Sequence, residues 1–357
     1  VHLFAGDFKD EPKNAHLHRV HPYSAQSVEA AAVSQNLDVV VGSGRELGTN
    51  VFQPHGGTFL GNRRQKLALI RNPVLRQIHS CFERFNPKYR AAARLERLQY
   101  SQQDPPQRFV AISRQVRDDM RGFYQVPDDR VHVVYHGIDT DHFSPLRGAS
   151  LRAGIRQEWG LEPGIVCFLL VAHNFQLKGA CELIEAAARV RRQRRDFAVV
   201  IVGKGSPGSY RRLANRLGCG DILHFPGPML DVERAYAAAD VYVQPAWYEP
   251  FGLVVLEAWA CGLPVIASRF TGSAELMTPG CEGFLFDLQA DPIALADRML
   301  DLFDADKRTH MGQLGRALAE RNTQQQHFQA MMKVFELAAG ESAEFRRGTH
   351  IDRRRVA

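Results

Sequence analysis

The stretch WYEPFGLVVLEAWACGLPVIA (residues 247–267) places two acids, Glu249 and Glu257, eight positions apart in an otherwise largely apolar run. It parses into a Pro-Phe-Gly turn, an apolar helix over 252–261, and a stop at Gly262 and Pro264. Val- and Ile-rich runs at 241–244 and 265–267 flank it as strands, making a βαβ unit. Ligands of open α/β sheets bind at the carboxyl ends of the strands. The spacing therefore sends Glu249 into that crevice, beside the free amides of Phe251, Gly252, Leu253 and Val254 at the helix start. Those amides and the positive end of the helix dipole make a seat for a diphosphate. Gly252 lets the backbone approach the ligand closely. Glu257, about a turn and a half along the helix, offers a second grip. Two carboxylates on either side of a bound diphosphate suit a nucleotide sugar, Glu249 on the sugar hydroxyls and Glu257 on the ribose diol. A lone glutamate here would read as helix solubility; the pair does not.

The same grammar extends along the chain. Short apolar runs at 37–41, 51–53, 109–112 and 131–135, then at 167–172, 198–202, 222–225 and 283–286, alternate with helical patterns. Strands unbroken by polar residues and separated by helices imply parallel sheets covered on both faces. The expected fold class is α/β, with two doubly wound Rossmann-like domains. The seam follows VHVVYHGIDTDHFSP (131–145). Residues 1–145 form the first domain, 146–321 the second, 322–340 a further helix and 341–357 a loose basic tail. The chain opens on Val1 with a strand running into a loop, so an opening strand and helix are expected to lie upstream of it. Asp139 and Asp141 form a DxD pattern that could hold a metal, but aspartates at a turn more often bond the local backbone.

At 357 residues the chain has room for two cores, and no apolar run is long enough to span a membrane. The opening residues do not read as a signal peptide and the six cysteines are scattered without a CxxC pair, so a cytoplasmic enzyme with reduced thiols is expected. The net charge of +6 is unevenly spread: residues 62–100 hold ten basic and two acidic side chains, a local +8. Such a segment attracts anionic lipid, nucleic acid or an acidic substrate. Without interleaved stacking aromatics, nucleic acid is not expected as a partner, and peripheral contact with an anionic membrane is.

EPFGLVVLEA resembles the E-x7-E signature of retaining glycosyltransferases of the GT-B fold, glycosyltransferase family 4. VVYHGIDTDHFSP resembles that family's connector, with His136 where asparagine is usual, and AAADVYVQPAWYEPFG and GLPVIAS also fit. The segment from QPHGG through the basic helices resembles bacterial lipopolysaccharide core glucosyltransferases. The resemblance implies two domains facing across a cleft, with 322–340 packing back on the first domain. It implies that Lys178, in VAHNFQLKG, neutralises the donor diphosphate, although the arginine usually paired with it is absent. It places His55, in VFQPHGG, near the donor sugar or acceptor, with Asn50 and Glu46 as weaker acceptor-facing candidates. Gly203 lines the nucleotide cleft, and the backbone near Pro228 and Met229 meets the base, uracil by expectation. The implied activity is metal-independent and cofactor-free: a hexose, glucose from UDP-glucose, moves to a lipid-linked glycan such as a lipopolysaccharide core. The alternatives are a donor such as GDP-mannose, or a non-catalytic sugar-nucleotide or glycan-binding protein on the same scaffold.

Overall fold

A computed structural model of the chain describes residues 2–5, 16–19, 37–44, 46–70, 72–101, 107–287 and 291–355. It divides into two compact units: Val1–Val134 with Phe328–Ala357, and Tyr135–His327. Arg71 and the loop expected directly after the first strand lie outside the described residues.

In the first unit, β1 (His2–Ala5) pairs in parallel with β2 (His16–Arg19). A separate four-stranded parallel sheet runs β3 (Val41–Gly42), β4 (Val51–Phe52), β5 (Arg108–Ala111), β6 (Val131–Val133) in that order. Helices α1 (Phe59–Ala68), α2 (Pro73–Phe85) and α3 (Pro87–Ser101) lie between β4 and β5 in the chain, and α4 (Arg114–Tyr124) between β5 and β6. Thr58 and Asn72 cap α1 and α2 through side-chain oxygens that accept helix amides.

The strand expected over 37–41 survives only as Val41–Gly42. The reason is Asn50, whose amide accepts from Val40 N at 2.7 Å and donates to Asp38 O at 2.7 Å. A side chain thus takes the place of ladder partners at Asp38 O and Val40 N, while Val40 O still accepts from the Asn50 and Val51 amides at 3.1 Å. Asn50 is buried and also reaches Ser342 Oγ at 2.8 Å, so its amide is engaged in holding the fold. Glu46 is likewise engaged locally, accepting from Gly44 N at 2.7 Å.

The second unit is entered through α5 (Pro145–Glu158), capped by Ser144. Its six-stranded parallel sheet comprises β7 (Val166–Val171), β8 (Phe197–Val202), β9 (Leu223–Gly227), β10 (Val241–Gln244), β11 (Val265–Ser268) and β12 (Gly283–Phe286). Their spatial order is 12-11-10-7-8-9. Every residue of β8, β10 and β11 is buried, as expected of strands covered on both faces. The connecting helices are α6 (Ala180–Val190), α7 (Gly208–Arg216), α8 (Glu233–Ala238) and α9 (Leu253–Ala260), followed by α10 (Asp291–Asp301) and α11 (Ala305–Glu320). Helix α11 lies so close to α9 that a Cβ on Gly315 would sit 2.5 Å from the Trp259 ring, and one on Gly312 2.0 Å from Gly262 O. That close approach buries most of α9 and leaves its amino terminus at the sheet edge.

The units meet in the chain at Val134/Tyr135, ahead of the boundary expected at Pro145. Connector residues belong to the second unit because their partners are there. Ile138 bridges to Thr323, the Phe143 ring packs on Tyr236 at 6.0 Å, and Arg316 Nη1 donates to the Thr140 and Phe143 carbonyls at 3.0 and 2.9 Å. Gly137 permits the bridge, since a Cβ there would stand 2.1 Å from Thr323 O. Asp139 Oδ1 accepts from Asp141 N at 3.0 Å and His142 N at 2.9 Å, which holds its carboxyl below the usual range.

Finally α12 (Gln324–Arg355) carries the chain back to the first unit. Met331, Val334 and Ala338 pack there with Val51, Val110 and Val134, and Arg108 Nη2 pairs with Glu341 Oε1 at 2.5 Å. The helix continues to Arg355, where a loose tail was expected after 340. No proline interrupts this segment, so nothing in the backbone forces the helix to end.

Candidate active site

The order of the second sheet reverses between β7 and β10, the topological switch point where open α/β sheets bind ligands. Each of these strands delivers a charged residue just past its carboxyl end. After β7, Asn174 organises a tight turn: its Oδ1 accepts from Leu177 N at 3.0 Å and its carbonyl from Lys178 N at 3.0 Å. Gly179 closes the turn at φ +76°, and a Cβ there would meet Pro245 O at 1.8 Å. Trp247 N donates to Leu177 O at 2.9 Å, which ties this turn to the loop after β10. The result is an ion pair, Lys178 Nζ to Glu249 Oε2 at 2.5 Å, with 17% and 16% of the two side chains exposed.

The Glu249 loop is held from behind by the turn after β11. Glu249 N donates to Phe270 O at 2.9 Å, and the Glu249 and Phe251 carbonyls accept from Gly272 N and Ser273 N at 2.9 and 2.7 Å. Ser273 Oγ donates to Gly252 O at 2.9 Å. With these carbonyls engaged, the amides of Phe251, Gly252, Leu253 and Val254 have no hydrogen-bond partner among the described residues. They are the orphan donors that begin any α-helix, here at the start of α9. Gly252 adopts φ +90°, and a Cβ there would lie 2.7 Å from Glu249 Cγ. Glycine is thus required both for the turn and for the glutamate rotamer. Phe251 is buried, with the His136 ring edge-on at 5.1 Å.

Glu257 sits deeper. Its Oε2 accepts from Tyr236 OH at 2.6 Å, and burial pushes its carboxyl above the usual range. Gly203, at the end of β8, has φ +141°, with room for a Cβ denied by Ala172 O at 1.7 Å. It therefore lies against the end of β7. Pro228 and Met229 follow β9 on the same edge of the sheet. His55 belongs to the first unit, exposed on the turn after β4.

Two participants escaped the sequence reading. Gln244, the last residue of β10, is fully buried; its Oε1 accepts from Tyr242 OH at 2.6 Å and its Nε2 stands 3.5 Å from Glu249 Oε2. A polar residue ending an otherwise apolar strand was the available signal. Ser273, distant in sequence, offered none.

Residues 163–305 match the family model described as glycosyl transferases group 1, and residues 1–142 match that of glycosyltransferase family 4. The chain belongs to this family. It is 36% identical over 217 residues to D-inositol 3-phosphate glycosyltransferase 2 of Catenulispora acidiphila, covering 57% of this chain and 50% of that one. Against the D-inositol 3-phosphate glycosyltransferase of Xylanimonas cellulosilytica it is 32% identical over 236 residues, 63% of this chain and 56% of the other. The chain thus spans about half the length of the curated relatives it matches. Among solved structures it is similar to WaaG, a glycosyltransferase involved in lipopolysaccharide biosynthesis, with TM-score 0.73 and 22% identity over 95% of this chain and 91% of that chain. It is also similar to Anabaena Alr3699/HepE solved with UDP-glucose, with TM-score 0.67 and 18% identity over 89% and 85%. These likenesses establish the fold as GT-B.

Proposed function

We propose that the protein is a retaining hexosyltransferase that takes glucose from UDP-glucose and delivers it to a hydroxyl of a lipid-linked glycan. The observation that carries this reading is the Lys178–Glu249 pair beside four unpartnered amides, at the switch point of the sheet. In this reading the donor diphosphate settles on the amides of residues 251–254. Lys178 turns from Glu249 toward the leaving oxygen as charge develops there. Glu249, released, accepts from hydroxyls of the transferred sugar, and Glu257 accepts from the ribose diol while Tyr236 holds its other side. Gly203 allows the nucleotide to lie close to the strand ends, and the loop at Pro228 and Met229 meets the base. His55 of the first unit is assigned to positioning sugar or acceptor.

The bond from the anomeric carbon to the diphosphate oxygen breaks as the acceptor oxygen bonds to the same face. The acceptor proton passes to the departing phosphate. No protein nucleophile is required, and the residues supply charge stabilisation and orientation. Glu249→Ala in the full-length protein is expected to abolish transfer, and near-normal turnover by that variant would overturn the assignment. A thermal-shift panel of UDP-, GDP- and ADP-sugars identifies the donor, because a ligand that binds the native state raises its apparent stability.

A second reading of the acceptor has its own support. The matched relatives are named D-inositol 3-phosphate glycosyltransferases. The first unit holds a cavity of about 660 Å³ at the ends of β3 and β4, lined by Arg63, Lys66 and Lys88 among others. Release of UDP in the presence of inositol phosphate, set against release with a glycolipid acceptor, separates the two.

A further inference from the structure

We propose that the outer edge of β9 carries a second ligand site in the second unit, built for a small aromatic carboxylate. Strand β9 ends the sheet order 12-11-10-7-8-9 and so lies beyond β8 from the switch point at β7 and β10. Beside it is a cavity of about 600 Å³, within the size range of small-molecule sites. Residues 223–226 all line this cavity, although successive side chains of a strand point to opposite faces. A space reached from both faces has to wrap the edge of the sheet.

Three elements supply the walls. Trp159, directly after α5, lines the cavity and is only 8% exposed. Its indole Nε1–H is buried and has no hydrogen-bond partner among the described residues. Leaving such a donor unpaired is costly, and an acceptor carried in by a ligand removes the cost. Helix α7 contributes Arg211 and Asn215, four residues apart and therefore on one face. A Cβ on Gly220 would stand 1.8 Å from Asn215 Oδ1, so glycine there leaves room for the amide. From β9 come His224 and the Phe225 ring, over which the Arg211 guanidinium lies at 5.6 Å. Burial holds the His224 imidazole below its usual range, so at neutral pH it offers one N–H and one bare nitrogen.

The chemistry of these walls selects the ligand. Arg211, Asn215 and His224 make no side-chain hydrogen bond or ion pair with a described residue. Glu158, the acid among the lining residues, is engaged by Arg234 at 3.0 Å. What remains is a set of donors and one uncompensated cation, set between two aromatic rings. A carboxylate matches the fork of Arg211, and its oxygens are acceptors for the amide and indole donors. A flat ring covers Trp159 and Phe225. Inorganic phosphate would leave the rings bare, and a neutral ring would leave the guanidinium unanswered. The site uses no residue of the donor reading and is independent of it.

The test reads the indole directly. Three tryptophans give three indole N–H resonances by NMR, and Trp159→Phe identifies that of Trp159. Sodium benzoate is expected to move the Trp159 resonance in a saturable way, half-complete at about 1 mM. The resonances of Trp247, in the donor loop, and of Trp259 should stay in place. Benzamide, of the same shape without the charge, should require at least about tenfold more. Arg211 is exposed, so Arg211→Gln is expected to fold normally. It should weaken benzoate about tenfold and erase the preference over benzamide. The thermal shift given by UDP-glucose should be unchanged in Arg211→Gln, so failure of the donor reading shows separately. The proposal is lost if benzoate leaves the Trp159 resonance in place or moves only that of Trp247. It is equally lost if inorganic phosphate or benzamide acts as strongly as benzoate, or if Arg211→Gln binds benzoate as wild type does.

Discussion

Replacing Lys178 with alanine probes stability and chemistry at one atom pair. Its Nζ lies 2.5 Å from Glu249 Oε2, with both side chains about five-sixths covered. At an effective dielectric of about 20, that separation corresponds to roughly 6–7 kcal/mol of attraction before desolvation. Desolvation of both ions offsets much of it, so the pair itself adds little net stability. Removing one partner is different, because Glu249 is then left covered without a counter-ion. The cost for such a break is about 3 kcal/mol, several degrees in the melting temperature. Lys178→Ala with Glu249→Gln removes both charges and should recover at least ~1.5 kcal/mol relative to the sum of the single losses. Transfer should not recover: loss of the charge facing the leaving diphosphate costs about a hundred- to a thousandfold in kcat. Thermal melts of the four proteins and coupled detection of UDP release measure the two effects separately. Strictly additive stability losses, or a Lys178→Ala enzyme turning over within a few-fold of wild type, would refute the reasoning.

Glu257→Gln should stabilise the fold at neutral pH while raising the donor KM, since an amide still accepts from Tyr236 but binds a ribose diol less strongly. Burial raises the folded pKa of Glu257 above its unfolded value, so its ionisation penalty is absent below the unfolded pKa and grows as pH rises toward the folded one. The melting advantage of the variant should accordingly shrink on acidification; a gap that is constant with pH contradicts this account. Gly252→Ala, forced to φ +90° and against Glu249 Cγ at 2.7 Å, should cost about 1–3 kcal/mol and suppress the thermal shift given by UDP-glucose. Gln244→Leu strands the buried Tyr242 hydroxyl, costing about 1–3 kcal/mol, and should lower kcat more than it raises KM; an unchanged kcat would show that Gln244 does not orient Glu249.

Much of this was legible in the chain because it depends on neighbours in sequence. The second-unit strands read from apolar runs lie within a residue or two of those observed. The helix expected over 252–261 forms as Leu253–Ala260, since Gly252, Gly262 and Pro264 act on the backbone where they stand. The first unit was less legible. Its opening strand is shortened because Asn50, about ten positions away, bonds the backbone in place of a neighbouring strand. The basic character of 62–100 was plain from composition, but not the orientation of α2. Periodicity shows that a helix has an apolar face and leaves open which way that face is turned.

Sequence alone therefore determined the two-sheet α/β architecture, the family signature and the acids that flank a bare helix start. All of these follow from short-range backbone preferences and from the spacing of side chains on one element. Tertiary structure decided which charges meet. Lys178 reaches Glu249, 71 residues away in the chain, across two strands adjacent in space, Ser273 orients the turn at Gly252, and Arg63 fastens α2 by its polar side. Such contacts arise when distant segments are packed together, and no local pattern of residues encodes them.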